Sequence, residues 1–240
     1  MRLIQFLLAF ILSFATANDA VALEQKYVSH SQTGNTLSIK TDQGAVQLTF
    51  YNADTVEAFF QPTGLKQLPS FSIAEQPLKT KLRLKNTPQQ LTFSSPELKI
   101  IIDKSPLHIR YFNNAGKILT EDKGFILEND KRGFRFALYD DEKLMGTGQR
   151  VLGMNRRGHK LPLYNKASYG YTTTAEQMYY SLPIVLSSNK YLLMFDNSAS
   201  GSVDLGKTEK DILEFTAVDG RTSYVLITGN NTPEIIENYV

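Results

Sequence analysis

The chain of 240 residues contains no cysteine, no tryptophan and only three histidines. Without cysteine it can form no disulfide framework, thiolate zinc site, iron–sulfur cluster or cysteine nucleophile. The histidines, His30, His108 and His159, are too far apart in sequence to form an HxH or HExxH metal motif. We therefore expect no metal site and no cofactor, and we expect the stability of the fold to come from a packed core.

The sequence also lacks an excess of charge of either sign. It has 26 Lys and Arg residues against 24 Asp and Glu residues, a formal net charge of +2. So small a charge produces no field that would attract a phosphate backbone, so we expect no nucleic-acid partner. Hydrophobic residues make up 42% of the chain and charged residues 21%, values typical of a soluble globular protein.

Long apolar runs are absent except at the N-terminus. There Arg2 precedes an apolar run over residues 3–14, and Ala15-Thr16-Ala17 has the small-x-small pattern of a cleavage site. Residues 1–17 therefore predict a signal peptide, with cleavage as late as residue 22 as an alternative. An uncleaved anchor is the other interpretation, but the run is shorter than the roughly 18 to 20 residues that span a bilayer. We expect a periplasmic or secreted protein without a membrane span.

The remaining sequence has the pattern of β-strands. Apolar and polar residues alternate over 46–50 and 81–85, the period of a sheet with one solvent-facing side. Residues 98–103 and 107–112 predict a hairpin, and turn signals occur at residues 113–116 and at Asp219-Gly220. Many short strands without a linker predict one all-β domain, an antiparallel β-sandwich, over residues 23–232.

The C-terminus carries the one clear helix signal, over residues 233–240. Pro233 and Glu234 suit the first turn, and Asn231 or Thr232 can cap it. No stop signal follows, so the segment is either the start of a longer helix or a short helix docked on the sheet. If it leads into a further domain, its apolar residues should be partly exposed: Ile235, Ile236 and Tyr239.

The most informative stretch is residues 145–180. Gly146 and Gly148 lack the third glycine of a phosphate loop, which favours a bend between strands. Arg156 and Arg157 could clamp an anion, but a solvated turn or a pair bracing an interface is the more common role of such clusters. Nearby acidic residues at 140–142 precede a turn and are expected to be solvated. No sequence element marks a glycosidase carboxylate pair or a G-x-S-x-G nucleophile.

Five of the twelve tyrosines also lie in this stretch. Aromatic rings stack on the apolar faces of sugar rings, so a tyrosine-rich loop suits carbohydrate recognition. Tyrosine is equally frequent in half-buried strands, which need no ligand. Composition alone leaves both interpretations open for Tyr164, Tyr169, Tyr171, Tyr179 and Tyr180.

Several motifs in this half of the chain resemble glycoside hydrolase family 31. Residues 145–150 (MGTGQR) resemble its YGLGER element, 154–158 (MNRRG) its LNRRG element, and 164–171 (YNKASYGY) its WNTDAYGY segment. The matches keep their order and spacing to the closing residues 228–236. The resemblance implies a galactose-mutarotase-like supersandwich that precedes a catalytic (β/α)8 barrel, with residues 233–240 leading toward that barrel.

The resemblance also implies a division of labour. The family's aspartate nucleophile and aspartate acid/base, which carry out a retaining mechanism, belong to the barrel, so we expect no catalytic residue here. A loop of the sandwich reaches the barrel mouth, and the aspartate that contacts the sugar there corresponds to Ala167. The candidate substrate-binding residues for an α-glucan or malto-oligosaccharide are Tyr164, Asn165, Lys166, Ala167 and Tyr169.

The loss of an aspartate at Ala167 suggests altered acceptor binding, as in the family's α-transglucosylases. Two other functions remain open. One is a stand-alone carbohydrate-binding module that uses the tyrosines. The other is an aldose epimerase, which shares the sandwich type but needs a histidine acid and a glutamate base across a sugar pocket. No His-x-Glu arrangement supports the epimerase in this sequence.

Overall fold

The structure is a computed structural model that describes residues 23–128, 130–167 and 169–240. The predicted signal peptide, residues 1–17 or 1–22, lies outside the described residues. In the described part the chain forms seventeen strands and one helix. In chain order these are β1 Tyr27–Thr33, β2 Thr36–Thr41, β3 Gly44–Phe50, β4 Thr55–Pro62, β5 Arg83–Asn86, β6 Gln90–Ser94, β7 Leu98–Lys104, β8 Leu107–Asn113, β9 Ile118–Glu128, β10 Lys131–Ala137, β11 Leu144–Gly148, β12 Lys160–Leu163, β13 Ser181–Ser187, β14 Tyr191–Phe195, β15 Gly201–Leu205, β16 Ile212–Ala217, β17 Ser223–Thr228 and α1 Thr232–Tyr239.

The strands form two sheets, and every pairing within them is antiparallel. The eight-stranded sheet has the order β1-β2-β3-β4-β17-β14-β13-β11. The nine-stranded sheet has the order β12-β15-β16-β10-β9-β8-β7-β6-β5. This arrangement confirms the prediction of an all-β antiparallel sandwich with a short C-terminal helix.

Period-two alternation builds the core between the sheets. In β3 the side chains of Val46, Leu48 and Phe50 are buried, while the residues between them are partly exposed. Leu98, Ile100 and Ile102 of β7 alternate in the same way from the opposite sheet. Successive side chains of a strand point to opposite faces, so each strand supplies every second residue to one continuous apolar cluster.

A second, smaller apolar cluster lies on the outer face of the eight-stranded sheet. Val225 and Ile227 of β17 point outward, and Ile235 of α1 packs on them and is fully buried. The Asn231 side chain caps the helix by accepting a hydrogen bond of 3.0 Å from the Glu234 backbone N–H. Because α1 docks on the sheet, the expectation that Ile235 would be exposed is wrong.

The other two apolar residues of α1 agree with that expectation. Ile236 and Tyr239 keep 42% and 39% of their surfaces exposed. The helix has eight residues. None of the helices in the described ranges has the length and apolar character needed to cross a bilayer.

Two of the predicted turns have different outcomes. The hairpin over residues 98–112 is confirmed as the antiparallel pair β7 and β8. Asp219 and Gly220 do lie between two strands, but β16 belongs to the nine-stranded sheet and β17 to the eight-stranded one. The segment is therefore a crossover between the layers, and a short hairpin turn does not form there. It is held by Asn197, whose side-chain amide donates to the Asp219 and Arg221 carbonyls at 2.8 and 2.9 Å.

Candidate functional site

The segment that joins β12 to β13, residues 164–180, contains all of the sequence-predicted site residues. We call it the tyrosine loop. It leaves the edge strand of the nine-stranded sheet at Leu163 and enters the eight-stranded sheet at Ser181, so it passes from one layer to the other. Its five tyrosines are each more than 40% exposed: Tyr164, Tyr169, Tyr171, Tyr179 and Tyr180.

Three of these tyrosines contact one another. The rings of Tyr169 and Tyr171 both meet that of Tyr179 at nearly perpendicular angles, with centroid separations of 6.3 and 6.4 Å. Edge-to-face contacts of this kind orient the rings without burying them. Tyr169 remains 88% exposed. The trio therefore presents aromatic surface and hydroxyl groups together at one end of the sandwich, a combination that suits a sugar.

Asn165 has a different position from the one that the sequence suggested. Its Oδ1 accepts hydrogen bonds from the backbone N–H of Ser181 at 2.6 Å and from the hydroxyl of Ser181 at 2.7 Å. These bonds fasten the start of the tyrosine loop to the first residue of β13. Its Oδ1 is thus used to position the loop.

The neighbouring candidates are oriented toward solvent. The Lys166 ammonium lies 6.0 Å from the centre of the Tyr164 ring, at the limit of a cation–π contact. Gln177 donates a 2.9 Å hydrogen bond to the Tyr164 carbonyl and thereby ties the two ends of the loop together. Ala167 is exposed and offers only a methyl group.

The strand next to the loop explains the two glycines of the MGTGQR motif. The prediction of a bend between strands is wrong for Gly146, which lies inside β11. Gly148 is the last residue of that strand, and the register with β13 shifts between the two glycines. Both have positive φ, +100° and +87°, and a Cβ on either would lie 2.6 Å from backbone atoms around β13. Only glycine permits this close approach. The irregular strand directs residues 149–159 beneath the tyrosine loop.

The two adjacent arginines of the MNRRG motif have opposite environments. Arg157 donates to the carbonyls of Tyr139, Glu142 and Lys210 at 2.5 to 3.1 Å, so it joins the β10–β11 connection to the β15–β16 connection. Arg156 is only 8% exposed, and its side chain has no hydrogen bond or ion pair with any residue that the structure describes. Arg157 thus braces connections within the domain, whereas the Arg156 side chain braces nothing that the structure describes.

Arg150 lies in the same region and is 7% exposed. Its Nη2 donates to the Pro162 carbonyl at 2.6 Å. Burial lowers its pKa, and the charge of Arg156 lowers it further. His159 and Glu176 pair more loosely nearby, with 3.5 Å between Nδ1 and Oε1. Glu176 belongs to the tyrosine loop, so the loop covers a small cluster of ionisable groups.

The buried carboxylates serve the fold. Glu142, which the sequence suggested to be solvated, is 4% exposed and accepts hydrogen bonds from Ser187 and Tyr191. The correction has a simple cause: Glu142 follows the turn and points between the sheets. Glu57 and Asp196 both pair with Arg221 at 2.8 and 2.9 Å.

Asp204 is also buried, and it accepts hydrogen bonds from the backbone N–H of Lys207 and from the Thr208 hydroxyl. No group of three or more His, Asp or Glu side chains in the described ranges has a geometry that could hold a metal ion.

A groove of about 620 Å³ lies on the outer face of the eight-stranded sheet, between α1 and the long segment that joins β4 to β5. Leu182, Met194 and Tyr239 line it together with the exposed Phe71. Arg221 closes one end with its two ion pairs.

The candidate substrate-binding residues of the sequence analysis are five residues of this site, and the tyrosine composition also left Tyr171 and Tyr179 open as sugar contacts. Tyr171, Tyr179 and Glu176 complete the exposed cluster, and Arg150 and His159 lie at its base. The richness of tyrosine in residues 164–180 was a signal for the first two. No sequence signal places His159 beside Glu176, because their proximity depends on the path of the loop between the sheets.

Comparison with known proteins identifies this domain type. The family model described as the glycosyl hydrolase 31 N-terminal galactose mutarotase-like domain matches residues 45–204. The chain is 24% identical over 217 residues to Alpha-glucosidase 2 of Bacillus thermoamyloliquefaciens, which covers 87% of this chain and 27% of that protein. The chain therefore spans about a quarter of the length of that curated relative.

Solved structures of two enzymes contain a domain with the same fold. The dextranase of Flavobacterium johnsoniae, in complex with isomaltotriose, superimposes with a TM-score of 0.85 at 26% identity, covering 91% of this chain and 28% of the enzyme. The cycloalternan-forming enzyme of Listeria monocytogenes gives a TM-score of 0.78 at 21% identity, covering 90% and 22%. At that lower identity the second match shows the shared fold alone.

Proposed function

The chain belongs to glycoside hydrolase family 31 as its N-terminal galactose mutarotase-like domain, and from this membership we propose that it shapes the substrate site of an exported α-glucosidase or α-transglucosylase. In this proposal the tyrosine loop meets the sugar beyond the scissile bond, and a barrel domain supplies the catalytic carboxylates. The substrate is an α-glucan or malto-oligosaccharide.

The exposed tyrosine trio carries the proposal. Large aromatic side chains at the surface of a monomeric domain usually mark a contact site, and here they lie on a loop that a rigid sandwich holds in place. Asn165 fixes one end of the loop and Gln177 the other. Ring faces and hydroxyls on a fixed loop match the alternating apolar and polar surface of a sugar.

The contacts of the buried carboxylates support a non-catalytic role for this domain. A glycosidase needs two carboxyl groups that face the glycosidic bond. The buried carboxylates of the described ranges are held by Arg221, by hydroxyls or by backbone N–H groups, as their contacts above show. Glu176, on the tyrosine loop, is paired with His159.

Two finer parts of the proposal rest on sequence features. Export rests on the apolar run of residues 3–14 and its cleavage pattern. A transglucosylase is favoured over a hydrolase by Ala167, whose methyl group gives no hydrogen bond to an acceptor sugar at the place where an aspartate is usual. A changed contact at this position would alter how water and sugar acceptors compete.

Hydrolysis of a nitrophenyl α-glucoside by purified residues 18–240 tests the division of labour. We expect no release of nitrophenol above the buffer control when circular dichroism shows that the chain is folded. A full-length α-glucosidase in the same assay is the positive control. Turnover that co-purifies with the folded chain would overturn the proposal.

The exposed trio also favours a second candidate, a stand-alone carbohydrate-binding module. Such a module needs no barrel, and saturable binding of maltose through maltohexaose in calorimetry would support it. If binding occurs, Tyr179→Ala should abolish it, whereas Tyr27→Ala, on the distant strand β1, should not. Flat titrations would remove this candidate and leave the barrel-supporting role.

A further inference from the structure

Two buried arginines beneath the tyrosine loop have hydrogen-bond donors that the protein does not use. Arg150 and Arg156 are 7% and 8% exposed. The Nε and Nη1 atoms of both are fully buried and have no partner among residues 23–128, 130–167 and 169–240. Buried guanidinium groups are normally paired and fully hydrogen-bonded, because burying an uncompensated charge is costly.

Other buried arginines of the same domain have carbonyl or carboxylate partners for their side chains. Arg157, the next residue, donates to three carbonyls. Arg221, also largely buried, pairs with Glu57 and Asp196 and donates to the Leu68 carbonyl at 2.7 Å. The Nε atoms of Arg110, Arg135 and Arg221 also lack a hydrogen bond, but each of these side chains has a carboxylate within 4.0 Å. Among the described residues, Arg150 and Arg156 have none.

Both arginines lie along the start of β12. Arg150 donates to the Pro162 carbonyl of that strand, and the Arg156 carbonyl accepts a 3.2 Å hydrogen bond from the backbone N–H of His159, the residue before β12. The charge of Arg156 is, after burial, a cause of the lowered pKa of Arg150. The rim of the pair is more accessible: the side chains of His159 and Glu176 are 35% and 53% exposed. Glu176 does not come within 4.0 Å of either guanidinium group, so it leaves the donors open.

We infer that Arg150 and Arg156 form a binding site for one oxyanion group, either a carboxylate or a tetrahedral phosphate or sulfate. Only an anion supplies both hydrogen-bond acceptors and the negative charge that two adjacent guanidinium groups require. A trapped water could accept hydrogen bonds, but it would leave both charges uncompensated.

An anion in this site would also link the two ends of residues 150–156, a segment that contacts the tyrosine loop. The Val151 backbone N–H already donates to the Ala175 carbonyl at 3.3 Å, next to Glu176. The Arg150 guanidinium also donates to the Pro162 carbonyl, so the anion would be connected to β12 through Arg150. The site is independent of the proposed function, since it needs neither a sugar nor a barrel.

Thermal unfolding of the full chain in different sodium salts tests the site. The salts are chloride, acetate, phosphate and sulfate at a few millimolar, with ionic strength held equal. At an anion concentration tenfold above Kd, the midpoint should rise by about 3 to 6 °C relative to chloride. Calorimetric titration of the same anions should show saturable binding of one anion per chain.

The variants separate the site from general salt effects. Arg156→Gln should lose the anion response and should melt no lower than the parent in chloride, because it removes an unpaired buried charge. Arg157→Gln is the matched control on the neighbouring residue and should keep the response even if it is less stable. A purely structural role of Arg156 would instead lower the midpoint in every salt and leave the response to anions unchanged.

Glu176→Gln gives a second readout that does not depend on the folding of an arginine variant. Removing the negative charge at the rim should tighten anion binding about two- to fivefold. A stronger response to acetate would identify a carboxylate site, and a stronger response to phosphate and sulfate a tetrahedral one. Equal melting in all four salts with no calorimetric signal would overturn the proposal.

Discussion

The same residue type has opposite uses in the core and in the tyrosine loop. Tyr111, Tyr191 and Tyr224 are at most 1% exposed, and the hydroxyl of each has a hydrogen-bond partner at 2.6 to 2.7 Å. In the tyrosine loop, Tyr169 is 88% exposed. A buried tyrosine needs a partner for its hydroxyl, whereas an exposed one leaves ring and hydroxyl free for a ligand.

Tyr224 shows how strongly the core depends on one such ring. It packs edge-on against Phe134 and Phe136 with centroid separations of 4.9 and 4.8 Å, which joins the two sheets. Its hydroxyl bonds to the hydroxyl of Tyr111 and donates to Asp122 Oδ2, both at 2.7 Å. No tyrosine of the loop has a comparable set of contacts among the described residues.

The largest expected effect follows from this ring. Tyr224→Ala should lower the free energy of unfolding by about 3 to 5 kcal/mol, because it leaves a cavity and removes two hydrogen bonds. Urea denaturation followed by circular dichroism measures the change. Tyr224→Phe, the control, keeps the ring and should cost less. A loss below about 1 kcal/mol for the alanine variant would show that the core does not depend on this contact.

The next largest expected effect is the pH dependence that Asp122 gives to the free energy of unfolding. Burial raises the pKa of Asp122 to about 6 from its ordinary value of 3.8, although the hydrogen bonds from Tyr224 and Gly124 act in the opposite direction. Because the folded state holds the proton more tightly than the unfolded state, this group stabilises the fold fully below about pH 4. That stabilisation is lost as pH rises through about 6.

The test compares the parent with Asp122→Asn from pH 4 to pH 7. Relative to the parent, the asparagine variant should gain about 1 to 3 kcal/mol of stability over this interval. Ion pairs such as Glu57 with Arg221 are present in both proteins. Their pH dependence therefore cancels when one free energy of unfolding is subtracted from the other. A difference that does not change with pH would show that Asp122 does not titrate in this range.

Sequence patterns predicted the frame and missed the exceptions for physical reasons. Alternation over residues 46–50 predicted a core-facing strand because period two is a local property. Whether Glu142 points into solvent or between the sheets depends on Ser187 and Tyr191, which are distant in sequence. Arg156 and Arg157 are chemically identical neighbours, and only the tertiary path of the chain decides which one finds partners.

For the candidate site, too, only the features that are local in sequence were predictable. A concentration of tyrosine and the family motifs located the loop, since both are local in sequence. The role of Asn165 required the pairing of its Oδ1 with Ser181, sixteen residues away. Core and loop tyrosines have the same side chain, so composition could not assign Tyr111 and Tyr169 to different roles.

Asn165 gives a smaller effect than the core positions. Asn165→Ala should lower the free energy of unfolding by about 1 to 2 kcal/mol, because the N–H and hydroxyl of Ser181 lose their acceptor. Both bonds end on one oxygen, so Asn165→Asp retains an acceptor and should lose less. Thermal unfolding of the two variants measures this contrast. Equal losses would show that Asn165 does not act as the acceptor that fixes the loop.

Tyr169→Ala should have the smallest effect, at most about 0.5 kcal/mol in the free energy of unfolding, as for surface substitutions away from structural features. Among the described residues its ring contacts that of Tyr179, with 6.3 Å between the ring centroids, and little of its surface leaves water on folding. Urea denaturation beside Tyr224→Ala gives the direct comparison of loop and core. A loss above about 1.5 kcal/mol would make Tyr169 a structural residue, and the tyrosine loop would then no longer offer this ring to a sugar.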